Sequence, residues 1–324
     1  MNHAIRVHEY GGPEKMLWED VPLPHPKPGE VLIRQKAVGL NYIDVYFRTG
    51  LYKAPALPFV PGMEGAGVVE AVGEGVTDLA VGDRVAYASG PMGAYTEART
   101  NKADRLVRIP HGITDEQAAS MMLQGMTAQY LLRSTYRVKP GETILVHAAA
   151  GGVGLIMVQW AKHLGCTVIG TVSTEAKAEL ARSHGCDHVV ISGEDLPAAV
   201  KRITGGAMLP VVYDSVGRDT FTASLDCLAP LGMMVSYGNA SGPVPPIDIG
   251  ILAAKGSLYL TRPTLGSYTM KRADLEAVAG ELFEVVANGA VKLQINQRYA
   301  LKDAAQAHRD LEARKTTGST VLLP

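Results

Sequence analysis

Apolar positions along this chain follow two different periods. Short runs at Val31–Val38, Ala66–Val72 and Arg84–Ala88 are rich in β-branched residues and stand between turn sequences such as Pro28-Gly29 and Val81-Gly82-Asp83. Runs of that kind predict short strands. Residues 1–124 therefore read as a mostly-β, barrel-like unit. From 125 to 262 apolar runs alternate with helix-length segments. Strands are predicted at Ile144–His147, Thr167–Val172, His188–Ile191, Val211–Asp214, Met233–Tyr237 and Leu258–Thr261, and helices at Glu175–His184, Ala198–Ile203 and Thr220–Leu228. That alternation implies a parallel, doubly wound α/β sheet. The interval from Gly238 to Gly256 is too rich in Gly and Pro for one regular helix. Residues 263–324 hold helical stretches at Lys271–Asn288 and Leu301–Arg314 and a last strand at Ser319–Leu323.

Candidate chemistry is densest at residues 143–154, Thr-Ile-Leu-Val-His-Ala-Ala-Ala-Gly-Gly-Val-Gly. An apolar strand empties into small residues, and a helical pattern follows at Val153, Met157, Trp160, Ala161 and Leu164. Strand, small-residue turn and helix is the arrangement that holds a dinucleotide pyrophosphate. Against Gly-x-Gly-x-x-Gly the slots fall on Ala149, Gly151 and Gly154, so the first is alanine. Backbone N–H groups of Ala150, Gly151, Gly152 and Val153 are the phosphate candidates, aided by the positive end of the helix. A tight turn in some other α/β protein is the alternative. An NAD site usually ends its second strand in Asp or Glu, about 20 residues past the glycines. Here that strand runs into Ser173-Thr174-Glu175-Ala176-Lys177. Ser173 and Lys177 suit a 2′-phosphate, which a carboxylate would repel. The cofactor reads as NADP(H), with two alternatives open. Lys177 would be a solvated lysine in one, and Glu175 would take the acid's role in the other.

Composition adds bounds. A chain of 324 residues predicts two domains. Lys and Arg number 31 against 32 Asp and Glu, with no block of one sign, so neither nucleic acid nor an anionic membrane is expected as a partner. No segment reaches transmembrane length, and the opening Met-Asn-His-Ala-Ile-Arg is strand-like rather than a signal core. Cys166, Cys186 and Cys227 are an odd, scattered set, which points to a reducing compartment, the cytoplasm.

Five segments carry a resemblance. They are Val38-Gly39-Leu40-Asn41-Tyr42-Ile43-Asp44, Pro61-Gly62-Met63-Glu64-Gly65-Ala66-Gly67-Val68-Val69, Val81-Gly82-Asp83-Arg84-Val85, His147-Ala148-Ala149-Ala150-Gly151-Gly152-Val153-Gly154 and Tyr213-Asp214-Ser215-Val216-Gly217. In that order they resemble the medium-chain dehydrogenase/reductase superfamily, and within it the zinc-free quinone oxidoreductases that include zeta-crystallin. The resemblance implies a GroES-like catalytic domain (1–124, rejoined by 263–324), an inserted Rossmann domain (125–262) and an active cleft between them. It also implies a homodimer paired through the Rossmann edge strand, Ser257–Thr261 here.

Zinc-dependent alcohol dehydrogenases of this superfamily place a Cys and a His where this chain has Asn41 and Met63. Neither an amide nor a thioether is a usual Zn²⁺ ligand, and three scattered cysteines do not make a structural site. No metal is expected. Without a Lewis acid, alcohol oxidation gives way to hydride donation from NADPH to an electrophilic acceptor. A quinone is the first choice and an α,β-unsaturated aldehyde or ketone the second. A nucleotide-binding protein without catalysis is a third reading.

The resemblance also implies site residues. Asn41 lies near nicotinamide and substrate. Tyr46 and Tyr52 line the acceptor pocket, unless they only pack against the barrel. Asp44 supports a neighbour or caps a loop. Gln124 and Thr127 stand beside the nicotinamide, unless they merely start a helix. Ser215, Gly238 and Asn239 follow the fourth and fifth strands, where α/β sheets bind ligands. Arg314 matches a position near the adenosine phosphate, unless it is only an exposed arginine at a helix end. Similar enzymes often support the 2′-phosphate with a tyrosine after the third strand. Here Ile191-Ser192-Gly193 offers Ser192, which donates a hydrogen bond but cannot stack. No histidine stands out as a proton donor. His111, His147, His163 and His184 show no obvious partner.

Overall fold

The β-branched runs of the first third pair as strands because their alternate positions bury against one another. In the computed structural model, which describes residues 2–88 and 90–324, the chain forms two units. Unit 1 is Met1–Met126, Thr269–Ala287 and Leu293–Pro324, and unit 2 is Thr127–Tyr268 with Asn288–Lys292.

Unit 1 begins with β1 (Asn2–Val7), β2 (Met16–Val21), β3 (Glu30–Leu40), α1 (Tyr42–Thr49), β4 (Glu64–Val72), β5 (Arg84–Ala88), β6 (Ala98–Lys102), β7 (Val107–Arg108) and α2 (Asp115–Tyr130). Unit 2 holds β8 (Thr143–Val146), α3 (Gly152–His163), β9 (Thr167–Val172), α4 (Glu175–Ser183), β10 (His188–Ile191), α5 (Leu196–Ile203), β11 (Leu209–Asp214), α6 (Phe221–Asp226), β12 (Leu228–Ser236), α7 (Gly250–Ala254), β13 (Tyr259–Thr261) and α8 (Leu265–Tyr268). The chain ends with α9 (Arg272–Ala287), β14 (Ile295–Ala300), α10 (Ala304–Glu312) and β15 (Ser319–Leu323).

β1 and β2 form an antiparallel ribbon, and the larger sheet of unit 1 runs β14-β15-β3-β4-β5-β7, with β6 on the other edge of β3. β15 pairs with β3 through Thr320↔Leu40, Val321↔Gly39 and Leu322↔Val38. Ile5, Val31, Ile33, Val69, Val85, Tyr95, Leu106 and Leu322 fill the core beneath. The sheet of unit 2 is parallel throughout, in the order β10-β9-β8-β11-β12-β13. The order reverses between β8 and β11, and ligands of such sheets bind at that reversal, beyond the carboxyl ends of the strands. Leu145, Ile169, Val190, Val200, Val212 and Met234 make its core.

Two elements depart from the periodicity. The helix expected over Thr220–Leu228 ends at Asp226, because Leu228 already pairs with Leu209 in β12. The chain then bulges before Met233 meets Val211, with Leu231 in the left-handed region (φ 64°). The sequence pattern predicts no strand at β14, which Asn296, Gln297 and Arg298 make polar and which pairs along one side only, with β15. Among the described residues no helix is long and apolar enough to cross a membrane.

Candidate active site

Beyond β8 the backbone makes a tight turn that unit 2 secures from three sides. The N–H of His147 bonds the Tyr213 carbonyl, that of Ala149 the Thr171 carbonyl, and that of Gly151 the Ala148 carbonyl, at 3.0, 3.0 and 2.9 Å. Ala148 sits at φ 52°, so the left-handed position belongs to an alanine outside the glycine slots. Gly154 is required sterically, since a Cβ there would lie 2.2 Å from the Ala148 carbonyl oxygen. Gly151 is the N-cap of α3 and brings no side chain to cap it. The first-turn amides of a helix have no intrahelical partner. Those of α3, around half-exposed Gly152 and Val153, make a small-residue cradle that fits a pyrophosphate.

Beneath this turn lies a buried polar chain. His147, 1% exposed, has Thr171 Oγ1 2.9 Å from Nδ1 and Ser224 Oγ 2.9 Å from Nε2. Burial lowers its pKa, with the charge of Asp214 opposing. Asp214 accepts from the Val216 and Gly217 amides and from Thr220 Oγ1 at 2.7, 3.1 and 2.8 Å, which fixes the loop after β11. Ala240 and Ser241 donate backbone bonds to Ser215 and Val216, so Ser215 and the Gly238-Asn239 turn are joined across the ends of β11 and β12. His147 thus has two partners that the sequence did not reveal.

At the end of β9, Thr174 is the N-cap of α4 and its hydroxyl accepts the Lys177 amide at 3.3 Å. Glu175 is exposed, and its carboxylate pairs with Arg182 at 2.7 Å. Ser173 and Lys177 are half-buried. Ser192 turns its hydroxyl onto the Val172 carbonyl at 3.1 Å, which ties it to the strand that precedes Ser173.

Unit 1 builds its site from side chains far apart in sequence. Asn41 is the N-cap residue of α1 and makes a capping box with Asp44, three residues on. Its Nδ2 donates to Glu64 Oε2 at 2.7 Å, and its Oδ1 accepts from Gln124 Nε2 at 3.1 Å. Gln124 Oε1 in turn accepts from Ser319 Oγ at 2.7 Å, and Glu64 Oε1 accepts the Leu123 amide at 2.7 Å. Glu64 has no exposed surface, and burial raises its carboxyl to about 8, against the pull of the Asn41 and Leu123 donors. Glu64 and Ser319 were not anticipated. Glu64 lies in the glycine-rich segment 61–69 and Ser319 opens the last strand, but only the fold shows that they converge on Asn41.

A second buried chain starts at the same helix. Asp44 Oδ2 accepts the Asn41 amide at 2.9 Å and the Tyr95 hydroxyl at 3.0 Å, so Asp44 does cap α1. His308 lies 3.0 Å from that hydroxyl through Nε2 and 3.3 Å from Arg48 Nη1 through Nδ1. A guanidinium only donates. His308 Nδ1 therefore accepts, Nε2–H donates to the Tyr95 oxygen, and the Tyr95 hydroxyl donates a hydrogen bond to Asp44. Burial, then the Arg48 charge, push His308 down to about 3, and burial lifts Asp44 to about 7. Arg48, 1% exposed, closes the chain with a bidentate pair to Glu312 at 2.7 and 2.9 Å.

Tyr46 and Tyr52 meet edge to face with ring centres 5.2 Å apart, and Tyr42 stands 6.1 Å from Tyr46. Gln124 and Thr127 do not begin a helix. α2 starts at Asp115, twelve residues before Thr127, so both lie in its last two turns. Thr127 bonds Tyr130, whose ring stacks on Tyr268 at 4.4 Å. Arg314, left-handed at φ 59° after α10, belongs to unit 1, where its charge eases the Tyr42 hydroxyl pKa that burial has raised. Among the described residues no three or more His, Cys, Asp or Glu gather as a metal site.

Residues 27–143 match the alcohol dehydrogenase GroES-like domain and residues 152–284 the zinc-binding dehydrogenase family. The chain is 56% identical to a quinone oxidoreductase of Pseudomonas aeruginosa over 100% of both chains. It is 47% identical to a 2-haloacrylate reductase of a Burkholderia species, covering 99% of this chain and 98% of the relative. The crystal structure of Escherichia coli quinone oxidoreductase complexed with NADPH superposes with a TM-score of 0.98 at 48% identity, over 100% of both chains. A GroES-like domain, a parallel Rossmann sheet and full-length identity of this order lead to one assignment: the chain belongs to the quinone oxidoreductase family of the medium-chain dehydrogenases/reductases.

Proposed function

We propose that this protein reduces quinones with NADPH and without a metal ion. The observation that carries the reading is the amide of Asn41, bonded to Glu64 and Gln124 at the position where zinc-dependent relatives have a cysteine ligand. The family names agree with it, and so does the NADPH in the Escherichia coli structure.

The cradle of Ala150, Gly151, Gly152 and Val153 holds the pyrophosphate. Ser173 and Lys177 take the 2′-phosphate, with Ser192 beside them. The pairing of Glu175 with Arg182 draws that carboxylate away from the acid's role and favours NADPH over NADH. Ser215, Gly238, Asn239 and Thr127 serve the nicotinamide half, and Arg314 the adenosine end. Bound NADPH supplies the hydride. Asn41 orients the acceptor by hydrogen-bonding its oxygen as charge develops there. Tyr46 and Tyr52 offer apolar faces and hydroxyl donors to the ring, and Gln124 holds Asn41 in place.

A homodimer paired through β13 follows from the same reading, because that edge strand leaves Tyr259 and Leu260 58% and 38% exposed. Three free, buried cysteines suit the cytoplasm. A second reading, reduction of an activated carbon–carbon double bond, is favoured by the likeness to 2-haloacrylate reductase. NADPH consumption is measured with 1,4-benzoquinone, with an alkenal and with no acceptor. Turnover on the quinone supports the proposal. Turnover on the alkenal alone replaces it with the second reading, and NADPH binding without turnover on either points to a non-catalytic role.

A further inference from the structure

Glu64 has no part in the chemistry proposed above, yet space has been cleared for it. A Cβ on Gly39 would lie 2.3 Å from Glu64 Oε2 and 2.3 Å from the Ala119 carbonyl, so only glycine at 39 admits this carboxylate. One oxygen takes the Leu123 amide and the other takes Asn41 Nδ2. Once it is ionised, which burial delays to about pH 8, the carboxylate accepts through both oxygens and can meet only the donor end of Asn41. The rest of the chain must follow: Asn41 presents Oδ1 to Gln124, and Gln124 presents Oε1 to the Ser319 hydroxyl. One other polarity also satisfies every group. If the residue at 64 offered a proton to Asn41, both amides would rotate by a half-turn. Ser319 would then accept from Gln124 and give its proton to the Ser120 carbonyl, 3.1 Å away. The two arrangements differ in one functional respect. The N–H of Asn41 not used within the chain stands at the Glu64 end in the first and at the Gln124 end in the second.

We propose that Glu64 is a positioning residue whose two-oxygen grip on Leu123 and Asn41 fixes the donor end of the Asn41 amide, and so fixes where the acceptor's oxygen finds its hydrogen bond. The inference rests on the quinone reductase reading for its kinetic consequence but not for its structural one. The charged and titratable groups around Glu64 are Asp44, Tyr87 and Tyr95. Asp44 meets Asn41 only in the capping box of α1, and neither tyrosine bonds the Asn41 side chain, so Glu64 is the ionisable side chain whose donor or acceptor character that amide must match.

Glu64→Gln is the decisive variant because it is isosteric and leaves no group unsatisfied. The glutamine must keep its oxygen on the Leu123 amide, which turns its NH₂ toward Asn41 and imposes the reversed chain. Neutron diffraction on deuterium-exchanged crystals held above pH 8, where Glu64 is ionised, should place Asn41 Nδ2 against Glu64 in the wild type and Asn41 Oδ1 against Gln in the variant. With 1,4-benzoquinone as probe at the same pH, kcat should fall roughly 10- to 100-fold, the scale of a displaced oxyanion donor. The dissociation constant for NADPH, read by fluorescence titration, should stay within about twofold, since this contact lies outside the phosphate cradle. The same Asn41 orientation in both proteins would overturn the proposal, and so would an unchanged kcat in a variant whose amide has turned. Oδ1 against Glu64 in the wild type overturns it without any variant. If the wild type fails to turn over benzoquinone, the parent reading falls while the neutron result still decides the role of Glu64.

Discussion

The two units build polar sites by opposite means. For its phosphate turn unit 2 uses backbone: a turn, a helix end and the amides between them, drawn from the eight residues His147–Gly154. Unit 1 uses side chains, and its contacts cross the chain from Asn41 to Glu64, Gln124 and Ser319, and from Arg48 to His308. A backbone site is damaged only by a change of shape. A side-chain site is damaged by the removal of one atom.

That contrast can be broken in order of size. Gly154→Val should be the most severe change, because its Cβ meets the Ala148 carbonyl. Loss of NADPH affinity by more than about 100-fold, or a stability loss of about 3 kcal/mol, is expected by titration and thermal unfolding. A near-normal variant would mean that side chains, not the turn, hold the phosphates. Tyr95→Phe removes one oxygen and leaves Asp44 and His308 each short of a partner. A loss of about 1–3 kcal/mol should appear in urea unfolding. Lys177→Ala should raise the KM for NADPH about tenfold and leave that for NADH nearly unchanged. Equal effects would remove Lys177 from the 2′-phosphate. Tyr46→Phe should raise the quinone KM roughly two- to tenfold without changing NADPH affinity, and unchanged kinetics would take Tyr46 out of the site.

The smallest effect is one of pH. Burial lifts Glu64 from 4.5 to about 8, so the folded protein holds a proton that the unfolded chain releases. Its contribution to stability is full below 4.5 and is lost as pH rises through about 8. His308 works in the other direction: lowered from 6.5 to about 3, it contributes above 6.5 and the contribution is lost as pH falls toward 3. Thermal stability should therefore decline on both flanks of a mildly acidic window. In Glu64→Gln the alkaline decline should shrink by a few degrees and the acid decline should stay.

The same contrast explains what the sequence could disclose. The strand, small-residue turn and helix at 143–163 are contiguous, so periodicity and residue size were enough to find them. The NADPH reading drew on Ser173 and Lys177 for the same reason, since both stand within five residues of one strand end. Asn41 was found by resemblance, but what holds it was not. Glu64 lies 23 residues away and Ser319 another 255 beyond, and no spacing rule links such positions. His308 was not singled out among the histidines because its partners, Tyr95 and Arg48, are 213 and 260 residues distant. β14 escaped because an edge strand of polar residues lacks the alternation that marks a half-buried one.

Helix α2 has a consequence for anyone who would recombine this scaffold. The division between the units falls inside it, after Met126 and four residues before its end at Tyr130. A chimera joined at that division would cut a continuous rod and set the residue that steadies Asn41 and the residue that bonds Tyr130 in different parents. Grafts that exchange the whole of Asp115–Tyr130 with one partner keep the rod intact, and libraries built on that junction should yield more folded protein than those cut at 126.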